Sequence, residues 1–273
     1  MKKLFAYLLL AVCVCVDVMS EELTVNLGQG GQVLKLLKVK AGKFTMGSPE
    51  TELYRRKNEK RHEVTLTADY WLGATEVTQG QWQAVMGTNP SKHQGDDKLP
   101  VENVSWDDAV KFCEVLTDTA RKAGAISGKQ KFALPTEAQW EYACRAGAAT
   151  PFSNGDVLDG TMANFDGNHT YGKSVQVPRY LNATAPVGSY PANAWGFYDM
   201  HGNVIEWCSD WYQEDLGSVA VSNPKGPSEG SYKVYRGGHF RDVGAFCRSS
   251  FRYFNLPNFA YAYLGFRVAL VAE

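Results

Sequence analysis

Beyond residue 20 the chain carries four cysteines, Cys113, Cys144, Cys208 and Cys247. A thiol can cross-link, bind a soft metal or attack an electrophile, depending on its partner and its ionisation. No two of them stand in the C-x-x-C spacing of a zinc or redox pair, and the five histidines are scattered, so the pattern argues against a transition-metal centre. Four cysteines admit three disulfide pairings in an oxidising compartment, with buried free thiols as the alternative. The other concentration of chemistry is residues 239–263, where eight of 25 residues are aromatic against 12% for the whole chain. Six of the eight, Phe251, Tyr253, Phe254, Phe259, Tyr261 and Tyr263, stand among Asn255, Pro257 and Asn258 in a loop-like context. Rings held on a rigid scaffold make binding contacts at low entropy cost, and His239, Arg241 and Asp242 would add polar contacts. Core packing is the competing use of such rings.

The same segment contains no Lys, Glu, Gln, Met or Trp, although these types supply 55 of the 273 residues, so about five would fall there by proportion. They are the five types that no codon ending in a pyrimidine encodes. Mutagenesis directed at the adenines of AAC or AAT codons leaves this gap, because every product keeps the final pyrimidine.

The elements that must hold this segment begin after an export signal. Lys2 and Lys3 precede the apolar run 4–16, and small residues at 18–20 suit cleavage before Glu21. A lipobox ending in Cys13, after Leu10-Ala11-Val12, is the rival reading and would anchor the protein through lipid. Either way the mature protein is expected in the periplasm or at the cell surface, touching a membrane only through that anchor. A formal net charge of −1 and a pI near 6.5 give no electrostatic case for nucleic acid. Residues 21–35 read as an N-terminal strand and linker, and residues 36–273 as one domain without repeats. Thr78 with Gln81 caps a helix over residues 79–86, Ser105 with Asp108 one over 106–123, and Thr136 with Gln139 one over 137–145. Gly87, Gly124 and Gly147 stop them. After Gly147 the chain reads as long ordered loops on a small sheet, and the charged stretch 50–63 as a solvated loop.

Nine motifs then fall in order: Gly42-Lys43-Phe44-Thr45-Met46-Gly47-Ser48, Glu76-Val77-Thr78-Gln79, Pro100-Val101-Glu102-Asn103-Val104-Ser105-Trp106, Leu134-Pro135-Thr136-Glu137-Ala138-Gln139-Trp140-Glu141, Pro186-Val187-Gly188-Ser189, Met200-His201-Gly202-Asn203-Val204, Glu206-Trp207-Cys208, Arg236-Gly237-Gly238 and Gly265-Phe266-Arg267. Together they resemble the formylglycine-generating enzymes, the sulfatase-modifying factors. The resemblance implies an α+β fold of the C-type-lectin-like kind, with little regular secondary structure and two or three helices around small antiparallel sheets. It also implies copper held by two C-terminal cysteines that oxidise a Cys or Ser of a sulfatase. Counted from Arg236-Gly237-Gly238, the second cysteine is Cys247, but the first falls on Asp242. A carboxylate supplies no second soft thiolate for copper and exchanges no disulfide, so Cys247 is the only catalytic thiol available to an enzyme. Calcium is implied at Asp199 and Glu206 by side chain and at Gly202 and Val204 by carbonyl, with turn capping by the two acids as the alternative. A second calcium site, at Asn164 and the Phe165 carbonyl, meets Arg179 where its acid should be and is expected to be lost. The position of Cys208 after the calcium loop, and of Cys247 in the C-terminal frame, suggests a Cys208–Cys247 disulfide.

On this scaffold, residues 239–263 resemble the variable proteins of diversity-generating retroelements, in particular those of a spirochaetal surface. That resemblance implies a frame of fixed residues, Gly244-Ala245, Cys247-Arg248-Ser249-Ser250, Arg252, Pro257, Ala260, Ala262 and Leu264-Gly265-Phe266-Arg267. The contact positions between them would be His239, Phe240, Arg241, Asp242, Val243, Phe246, Phe251, Tyr253, Phe254, Asn255, Leu256, Asn258, Phe259, Tyr261 and Tyr263. The function expected is binding of a protein or glycan ligand. Oxidation of a sulfatase is the alternative.

Overall fold

The computed structural model describes residues 21–28, 30–172 and 179–273; the signal sequence read in residues 1–20 lies outside them. Alternating apolar residues make a hairpin of β1 (Glu22–Asn26) and β2 (Val33–Val39), paired antiparallel with Thr24 opposite Lys35. Val25, Leu34 and Leu36 turn inward together and join the main core. With strands numbered along the chain, the hairpin opens a five-stranded sheet in the order β1, β2, β5 (Tyr70–Gly73), β12 (Ala269–Ala272), β6 (Gln130–Ala133). The segment expected as a linker before residue 36 is therefore part of the domain, and a boundary at residue 36 would cut β2.

All three helices start where their capping boxes place them. In α1 (Gln79–Met86), α2 (Trp106–Lys122) and α3 (Glu137–Arg145), the cap hydroxyl accepts the N3 amide while the N3 side chain accepts the cap amide. Helix α2 lays Ala109, Phe112, Cys113, Leu116 and Ala120 into the main core. The end of α3 departs from expectation: the left-handed residue is Ala146 (φ 46°), one position before Gly147.

A four-stranded sheet runs β10 (Tyr253–Asn255), β9 (Lys233–Arg236), β7 (Ile205–Trp211), β11 (Leu264–Gly265), and a three-stranded sheet runs β3 (Gly42–Met46), β4 (His62–Leu66), β8 (Val221–Ser222). These two sheets are mixed, because β11 joins β7 and β8 joins β4 in parallel after long crossings instead of hairpins, whereas the five-stranded sheet is antiparallel at every pairing. The result is an α+β fold with three α-helices among the described residues. Residues 239–263 leave β9 and re-enter at β11, both hydrogen-bonded to β7, so the segment is tied at both ends to one strand.

Candidate ligand-binding surface

The segment is fastened by buried arginines. Arg236, at the end of β9, donates to the carbonyls of Ser249, Ser250 and Phe251 at 2.8, 3.1 and 2.7 Å and pairs with Glu141. Arg248 holds Glu59 with two bonds of 2.7 Å, and Arg252 holds Glu137 with bonds of 2.6 and 2.9 Å. Planar guanidinium–carboxylate pairs of this kind fix orientation as well as position. Gly238 is equally specific, since a Cβ there would lie 2.7 Å from the Cys247 sulfur.

What the frame leaves outward is aromatic. Tyr263 stacks on His239 with ring centres 4.1 Å apart and on Tyr261 at 5.1 Å, and Phe259 leans on Tyr261 at 4.6 Å. Tyr253 stacks on Tyr235 at 5.4 Å and Phe254 on Tyr212 at 3.9 Å. The loop of residues 257–261 is pinned by the start of α2, where the amides of Trp106 and Asn103 donate to the carbonyls of Pro257 and Tyr261. Of the fifteen expected contact positions, thirteen are exposed or half-buried, while Gly244, Ala245, Cys247, Arg248, Ser249, Ser250, Arg252 and residues 264–267 of the frame are all buried.

Two positions are corrected. Phe240 is fully buried with its ring 5.0 Å from His93, and Phe251 is 1% exposed, packed between Phe246 and Tyr253. Both rings face the body because the backbone on either side is clamped, at Phe240 by its amide on the Asn203 carbonyl and at Phe251 by Arg236. They are support, not contact.

The stretch 50–63 is more than a solvated loop. Its Glu52 and Glu59 are the partners of Arg248, and Arg56 lies over the rings of Phe246, Phe251 and Tyr253 at 5.3, 4.6 and 5.8 Å. Arg56, Tyr212 and Asn182, which accepts from Arg241 at 2.9 Å, thus belong to the surface or its rim although they lie outside the segment in sequence. The one signal available was compositional: a frame with three arginines, Arg248, Arg252 and Arg267, and no acid of its own needs carboxylates from elsewhere.

Asp242 and His239 meet in the hollow of this surface. His239 Nδ1 accepts the Arg241 amide, leaving Nε2 to face Asp242 Oδ1 at 3.4 Å. Burial, helped by Arg241, pushes His239 down to about 3, and burial pushes Asp242 up to about 7, so with the imidazole uncharged the two do not form an ion pair. Burial also holds the Cys247 thiol well above its ordinary value, with the nearby Asp242 adding to the shift.

Other expected site residues do different work. All four cysteines are free and buried. Cys208 packs in the cluster around Trp140 and Cys247 in the one around Phe165, so the expected Cys208–Cys247 disulfide is not formed: the two thiols serve separate cores. Glu206 gives both oxygens to Arg267, at 2.7 Å each, and also accepts the Trp140 indole at 2.8 Å, so three of its four lone-pair directions are taken up by the protein. Asp199 accepts the Gly188 amide at 2.7 Å and is pushed up to about 6 by burial. Gly202 and Val204 remain buried beside them, and among the described residues no three His, Cys, Asp or Glu side chains gather to hold a metal. At the second site Asn164 keeps one buried oxygen unpartnered, while Arg179 lies over Tyr190.

The comparisons with known proteins agree with the geometry. A family model, the sulfatase-modifying factor enzyme 1-like domain, matches residues 26–272. The chain belongs to this family. It is 34% identical to the formylglycine-generating enzyme of Mus musculus over 216 residues, 76% of this chain and 53% of that protein. It is 30% identical over 260 residues to the serine/threonine-protein kinase pkn1 of Chlamydia caviae, 85% of this chain and 37% of that one. The chain therefore spans about half the length of the first relative and less of the second. Among solved structures, Treponema denticola variable protein 1 superposes with a TM-score of 0.78 at 28% identity, covering 91% of this chain and 98% of that one. PvdO from Pseudomonas aeruginosa gives 0.72 at 27%, covering 90% and 97%. The fold is thus the C-type-lectin-like fold of the sulfatase-modifying factors, shared with a variable protein.

Proposed function

We propose that the chain is an exported binding protein that presents the outward residues of 239–263 to a protein or surface-glycan ligand, in the manner of the variable proteins of diversity-generating retroelements. The observation that carries this reading is the division of the segment: eleven of the fourteen positions expected to be fixed are buried, all but Pro257, Ala260 and Ala262, whereas thirteen of the fifteen expected to vary reach the surface. A catalytic centre needs its reactive groups held; a diversified one needs them free to change without loss of the fold. The likeness to a variable protein over 91% of the chain supports the same reading.

The rival is a sulfatase-modifying enzyme, favoured by 34% identity to a formylglycine-generating enzyme. Against it stand Asp242 in place of the first thiol and a buried Cys247 held in its protonated form, a pair that does not suit copper. The deciding experiment is the triple variant Tyr253→Ala/Tyr261→Ala/Tyr263→Ala, compared with the parent on glycan arrays and displayed surface proteins. With the fold intact by circular dichroism, binding found for the parent is expected to fall roughly a hundredfold or more. Unchanged binding, or an aldehyde formed on a cysteine peptide with copper and oxygen and lost in Cys247→Ser, would overturn the proposal.

A further inference from the structure

The three-stranded sheet ends on β3, which has β4 on one side and no strand on the other. Apart from its ladder with β4, no backbone hydrogen bond joins residues 42–46 to any of the described residues. An edge of this kind keeps amide and carbonyl groups available to another strand, and proteins usually cover or shorten it. Here it borders a cleft of about 410 Å³ lined by Lys43, Phe44 and Thr45 together with Arg61, Tyr142 and Trp195. A cleft on one face of a sheet meets alternate residues only. Three successive residues place this one along the strand's edge.

Its chemistry is specific. Phe44 and Tyr142 lie 5.0 Å apart and Tyr142 meets Trp195 edge-on at 4.8 Å, all three rings partly exposed. A Cβ on Gly42 would run into the Tyr142 hydroxyl, so the bare glycine lets that ring lie against the strand. The charged lining is wholly cationic. Arg145 is neutralised by Glu141 at 2.8 Å, whereas the exposed Lys43 and Arg61 form no salt bridge with any described residue.

We propose that this edge docks an extended acidic segment of another protein, which adds as a strand beside β3, sets carboxylates against Lys43 and Arg61, and rests an apolar side chain on Tyr142 and Trp195. Main-chain bonds would supply affinity and the alternate side chains specificity. A second copy of β3 fits poorly, since it would bring two cationic linings, each with Lys43 and Arg61, to one edge. No residue of 239–263 lines this cleft, so the site is independent of the surface described above.

The test is an amide-resolved NMR titration of the isotope-labelled chain with a nonapeptide alternating Glu and Val around one central Trp, up to about 1 mM, the weak end of peptide affinities. Shifts are expected at residues 42–46 and the Trp195 indole. The double variant Lys43→Glu/Arg61→Glu, both positions being on the surface, is expected to weaken binding roughly tenfold or more, and N-methylation of alternate peptide amides to abolish it. The proposal is overturned if residues 42–46 do not respond, if a peptide with Lys for Glu binds equally, or if binding survives N-methylation. Sedimentation showing self-association through this edge would assign it to a second copy instead, and would also overturn it.

Discussion

Asp242 occupies the place of a catalytic thiol, and its burial makes it a stability sensor. The native carboxyl titrates near 7, against about 3.9 in an unfolded chain. Between these values the folded protein holds a proton that the unfolded chain releases, so this group's contribution to stability falls as pH rises from about 4 to about 7 and is flat above. Asp242→Asn removes that slope. Urea unfolding across this window is expected to show the variant gaining on the parent with rising pH, by a total on the order of 2 to 4 kcal/mol; a constant difference would contradict the burial assigned to Asp242. His239, uncharged above about 3, acts oppositely in both proteins and largely cancels from the difference. A second contrast separates support from contact. Phe251→Ala is expected to cost about 3–5 kcal/mol because it empties a packed site, whereas Tyr261→Ala, at a residue 37% exposed, should cost about 1 kcal/mol or less. Equal costs in chemical denaturation would erase the distinction between frame and surface.

At the scale of elements, what was legible in the sequence is what local hydrogen bonding decides. Each helix start was readable because a hydroxyl and an amide or carboxyl three residues apart satisfy each other's backbone groups wherever the helix docks. The end of α3 was not readable in this way, since Ala146 takes a conformation that its own side chain disfavours and that the packed turn imposes. Ala146→Gly is therefore expected to stabilise the protein by about 0.5–1 kcal/mol, raising Tm by about 1–3 °C. A lower Tm would mean that the buried methyl contributes more than the strain costs. The candidate surface was legible as a composition but not as a topography. Phe251 and Tyr253 are two residues apart and differ in burial, and Arg236, from another strand, clamps the backbone at Phe251. The carboxylates that neutralise Arg248 lie 189 and 196 residues away in sequence. Likewise, the Arg267 that holds both oxygens of Glu206 lies 61 residues on in sequence.

For the whole molecule, three sheets and three helices converge on making one loop segment rigid at its base and open at its face. The base is built from desolvated arginine–glutamate pairs, which tolerate loss of a partner badly; the face is built from rings whose neighbours are other rings and solvent. The two jobs are separable by position, which is what a scaffold for changing surfaces requires. The most direct measurement is a displayed library in which Arg241, Tyr253, Phe254, Leu256, Asn258, Phe259, Tyr261 and Tyr263 are randomised together, with residues 247–252 and 264–267 untouched. Most members are expected to fold with a Tm within about 5 °C of the parent, and selection on unrelated targets is expected to yield different specific binders. A library that mostly fails to fold, or that yields no binders while folding well, would contradict a buried frame carrying the fold and an outward face carrying recognition.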